Sequence, residues 1–96
     1  MEELRLIPVQ TFCVHHNIDT AFIDSLQRYG LIETVVMEEI QYIPEERLRD
    51  VEILVSLHGE LDINLEGLDV VAHLLSRIRS MQEEISTLKN RLSFFE

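Results

Sequence analysis

Ninety-six residues can bury one hydrophobic core and leave little for a second. Hydrophobic residues make up 46% of the chain, which argues against disorder, and no apolar run approaches the ~20 residues a membrane-spanning helix needs. The eighteen acids and eight bases give a net charge of −10; residues 33 to 66 hold ten acids against two bases, a field that opposes phosphate binding and suits a basic protein partner.

Met1, Glu2 and Glu3 open the chain without a basic segment and apolar run of the secretory type, so a cytoplasmic location is expected. Pro8 is suited to a first helical turn, and Val9, Phe12, Cys13 and His16 follow at helical spacing, predicting a short helix that ends near Asn17. Cys13 is the single cysteine, which rules out an internal disulfide. Asp19 is a natural N-cap for a second helix over about Thr20 to Tyr29, with Ile23 and Leu26 inward and Gly30 as its stop. Two short helices around a tight turn predict helix-turn-helix.

From Leu31 to Ile43, β-branched and aromatic residues stand on either side of Met37, Glu38 and Glu39, and a β-hairpin wing is expected there. Pro44, Glu45 and Glu46 then start a third helix whose stripe is Leu48, Val51, Leu54 and Val55, ending at His58 and Gly59. Glu60 to Ile63 link onward, and Asn64 caps a last helix interrupted only by Gly67 near its start. Val71, Leu74, Ile78, Met81, Ile85, Leu88, Leu92 and Phe95 fall on alternating spacings of three and four, the pattern of a coiled-coil seam. A helix from Leu65 to Phe95 would extend about 46 Å at ~1.5 Å per residue, too far to be buried on a head this small. A homodimer is expected, parallel or antiparallel, with Glu84, Lys89 and Arg91 flanking the seam. The chain divides into a winged head over residues 1–63 and a dimerisation helix over 64–96.

This order of elements resembles the winged-helix regulators of the MerR superfamily over nearly the whole chain. Phe12-Cys13, Gly30-Leu31-Ile32-Glu33 and Leu57-His58-Gly59-Glu60-Leu61-Asp62-Ile63-Asn64 with Gly67 are more narrowly similar to the chaperone-modulator, CbpM-like family. The fold implied is mainly α, a MerR-like winged helix-turn-helix with a small β-hairpin wing and a long C-terminal dimerisation helix. The function implied is binding and restraint of the J-domain of a DnaJ/CbpA-like co-chaperone. The alternative is a MerR-type transcriptional regulator. Aligned on Gly30, the recognition-helix Arg-Tyr of the MerR pattern falls on Asp24 and Ser25, and the wing arginine on Gln41. Losing each base-reading pair costs about 1 to 3 kcal/mol of discrimination, so direct DNA binding is disfavoured.

The candidate partner surface is therefore Phe22, Asp24, Gln27, Tyr29 and Glu33 with Glu38 and Glu39 at the wing tip, Phe22 being the aromatic anchor unless it packs on the wing or first helix. His15 and His16 project about 100° apart and have no second ligand cluster nearby in sequence, so no metal is expected. Glycines only at 30, 59 and 67 supply no phosphate loop, and no nucleophile arrangement can be assembled; neither an enzyme nor a cofactor is expected.

Overall fold

The computed structural model describes residues 5–95. The elements run β1 (Leu6–Pro8), α1 (Val9–His16), α2 (Thr20–Arg28), β2 (Val35–Met37), β3 (Ile40–Pro44), α3 (Glu45–Leu61) and α4 (Leu65–Phe95). The fold is the mainly helical winged helix-turn-helix expected, with a small antiparallel sheet and a long last helix.

Local chemistry explains most boundaries. Asn17 ends α1 in the left-handed region at φ 54°, where asparagine is tolerated better than most residues. Asp19 caps α2 by accepting the Ala21 N–H at 3.0 Å. Gly30, at φ +74°, closes α2 in a Schellman motif: its N–H donates to Gln27 O at 2.9 Å and the Leu31 N–H to Leu26 O at 2.9 Å. Asn64 caps α4 through its side chain, which accepts the Gly67 N–H at 2.9 Å.

Two boundaries differ from expectation. The helix starting at Glu45 does not stop at Gly59 but runs to Leu61, and Asp62 makes the exit at φ 54°. Glycine inside a helix weakens it without ending it, and the helix closes only where the Ile63 N–H donates to Leu57 O at 3.3 Å. The wing is not a lone hairpin either, since β1 adds a third strand in the order β1-β3-β2. Leu6, Ile7 and Pro8 pair antiparallel with Pro44, Ile43 and Tyr42.

The core gathers one to three residues from each helix and one from β3. Ile23 and Leu26 of α2, Ile43 of β3, Val51 and Leu54 of α3 and Leu68 of α4 are fully buried, with Val9, Phe12 and Cys13 of α1 beside them. Burial, then the nearby Asp19 and Asp24 carboxylates, push the Cys13 thiol above its ordinary value, so it is held protonated as a core side chain. Leu65, Val71 and Ala72 also pack against this cluster. The packed unit thus continues past residue 63 into the first two turns of α4. Arg79 of α4 pairs with Asp50 of α3 beyond them.

Candidate partner-binding surface

The helix-turn-helix presents α2 with the wing beside it. On α2 the core takes Ile23 and Leu26, so Asp24 and Arg28, displaced by about half a turn, face solvent. Gln27 sits at the margin and is half-buried, and there it meets the wing: the Gln41 amide donates to the Gln27 side-chain oxygen and, at 3.3 Å, to Thr34 Oγ1. Gln41 is therefore a strut between the wing and α2 and not a free group aimed at a ligand.

Phe22 lies on the other margin, about 140° around the helix from Gln27. It is half-buried and stacks on His58 of α3, with ring centroids 4.3 Å apart and planes inclined by 19°. His58 is fixed by a 3.0 Å hydrogen bond between Nδ1 and Ile63 O. Phe22 thus meets α3 as well as the core cluster it packs against, a contact its sequence position does not suggest, and the structure separates it from Gln27. Helical spacing could have shown the separation, but the His58 stack depends on how α3 crosses α2, which spacing does not encode.

Tyr29 is 62% exposed at the end of α2. Glu33 is exposed on the loop that follows, at the lip of a cleft of about 260 Å³ between that loop, α3 and α4. Glu38 and Glu39 form the two-residue turn between β2 and β3, both exposed and both left-handed, at φ 51° and 67°. Asp24, Tyr29, Glu33, Glu38 and Glu39 consequently all reach solvent. Against them on α2 stands a single cation, Arg28.

The seam residues divide in two. Val71 is half-buried against the head. Leu74, Ile78, Met81, Ile85, Leu88, Leu92 and Phe95 are all exposed along α4, as is Phe94 beside them. Among the described residues no group of three or more His, Cys, Asp or Glu side chains is placed to hold a metal ion, and no helix is long and apolar enough to cross a membrane.

A family model for MerR HTH family regulatory proteins matches residues 7–90, which reaches from β1 into the last turns of α4. The chain belongs to that family. Within it, this MerR-type chain is similar to the chaperone modulatory protein CbpM of Pseudomonas entomophila (strain L48), at 23% identity over 90 residues that cover 93% of this chain and 89% of the relative. No solved structure gives a significant match. The family match and the relative together fit a CbpM-like member of the MerR type, a grouping of regulators and modulators.

Proposed function

We propose that this protein is a non-enzymatic modulator that binds the J-domain of a DnaJ/CbpA-like co-chaperone and restrains it. The observation that carries the reading is the charge of the helix-turn-helix face. Where a DNA-reading member of this fold needs cations against phosphate, the exposed groups here are Asp24, Glu38 and Glu39, with Arg28 the one opposing charge on α2. Similarity to a chaperone modulatory protein over nearly the whole chain supports the same conclusion. A J-domain docks through a basic helix, and an acidic module covering that helix competes with the chaperone by complementary charge, with no catalysis required. Asp24, Gln27, Tyr29, Glu33, Glu38 and Glu39 are the surface offered. The second reading, a DNA-binding regulator, has the family match in its favour.

Calorimetry with the isolated J-domain of the co-chaperone encoded nearest to this gene, at two salt concentrations, separates the two. A saturable complex, weakened about tenfold or more by Asp24→Arg, is expected. No heat with the J-domain, together with salt-sensitive retention of a promoter fragment, would return the chain to the DNA-binding side of its family.

A further inference from the structure

The wing carries apolar side chains on both of its faces; the inner one is covered at Ile7 and Ile43, while Val36 on that same side is 60% exposed. Register fixes which is which. Ile43 is fully buried and pairs with Ile7, itself packed on the core, so their side of the sheet is the inner one. Gln41, two residues before Ile43, shares that side and reaches Gln27 of α2, and Val36 is paired with Gln41. The alternate positions, Val35 paired with Tyr42 and Met37 paired with Ile40, therefore lie together on the outer face. Val35, Met37 and Ile40 are exposed, Met37 at 48% and Ile40 at 49%. An antiparallel sheet with one wet side ordinarily alternates apolar and polar residues, and this hairpin does not.

We infer that the outer face of the wing, formed by Val35, Met37, Ile40 and Tyr42, is the apolar anchor of the partner site, and that its occupant is a cationic amphipathic helix. This inference rests on the proposed function and replaces Phe22, committed to His58, as the apolar element of that surface. Charge decides between occupants. The patch ends at Glu38 and Glu39, and the chain bears a net charge of −10, so a second copy laid on the same face meets like charge. An apolar helix stripe flanked by Lys or Arg meets apolar surface beneath and carboxylates at its rim. Edge pairing along β2 offers only three residues of free backbone, whereas the sheet face accepts the side chains of two helical turns.

The test follows methyl NMR signals of Met37 and Ile40 in the full chain during titration with two probes. One is the same isolated J-domain; the other is a synthetic helix with a leucine stripe flanked by lysines, run beside its glutamate counterpart. Both methyl signals are expected to shift with the J-domain and with the lysine helix but not with the glutamate helix. Met37→Ser/Ile40→Ser is expected to lose about tenfold or more in J-domain affinity while its circular dichroism melt stays that of a folded protein. J-domain binding with unmoved methyls and undiminished affinity in the double variant overturns the wing anchor and leaves the proposed function standing. Methyl shifts with the lysine helix but no J-domain binding do the opposite: the wing anchor stands and the proposed function falls. Silence with both probes ends the inference.

Discussion

At the scale of single residues, Gly67 shows why a side chain's absence can matter more than its propensity. A Cβ built there meets Ile63 Cγ2 at 2.6 Å and Asn64 Oδ1 at 3.2 Å, and the latter is the oxygen that caps α4. Alanine is ordinarily better than glycine within a helix by about 1 kcal/mol. Here Gly67→Ala is expected to go the other way, destabilising by ~1–2 kcal/mol in urea denaturation, because the Ile63 methyl is held at a branched Cβ and cannot swing clear as a long side chain would. An increase in stability would show that Ile63 moves aside freely. The sequence marks Gly67 as an interruption near a helix start and as part of the motif that carries the resemblance, but not as a steric need, since closeness to a residue one turn earlier leaves no composition signal. Phe22 teaches the same thing from the opposite direction: an aromatic on the rim of α2 is visible in the sequence, but the ring of His58 that occupies it, thirty-six positions later, is not.

At the scale of elements, the caps are legible in the sequence and the strand pairing only in part. Asp19, Gly30 and Asn64 act within three or four residues of themselves, so their spacing announces where α2 begins and ends and where α4 begins. The β1 strand is three residues long and pairs with residues more than thirty positions away, too short and too distant for periodicity to reveal. The wing turn falls at Glu38 and Glu39, where the polar centre of the hairpin segment places it, but residue type gives no sign of its backbone. Both residues adopt positive φ, a conformation that a two-residue hairpin ordinarily assigns to Asn-Gly. Glu38→Asn/Glu39→Gly is therefore expected to stabilise the fold by about 1 kcal/mol, raising the melting temperature by several degrees. The same pair of substitutions strips the wing tip of both carboxylates and is expected to weaken J-domain binding. Gains in stability and losses in affinity measured on one variant would separate the two roles of this turn; unchanged melting would show that the left-handed pair carries no strain.

At the scale of the whole molecule, the bare stripe on α4 is the largest feature without a counterpart in the described chain. The heptad spacing predicts a helix from Leu65 to Phe95 and the structure has it, but the seam's first member, Val71, leans on the head. From Leu74 to Phe95 the stripe remains exposed, far more apolar length than a solitary helix keeps in water. Sedimentation equilibrium is expected to return a dimer for the natural chain and a folded monomer for Ile85→Asp, a charge at the middle of the stripe. A natural chain that sediments as a monomer at tens of micromolar would remove the seam from consideration.

Leu68, in the core, and Ile78, on the stripe, belong to one unbroken helix. Whatever pairs the distal turns also holds the proximal turns in the shape the head is built on, so association and folding draw on the same free energy. With a second copy as the occupant, abundance becomes a variable of the fold itself: dilution loosens the head, and accumulation firms it. The firmness of the head would then be a reading of how many copies surround it.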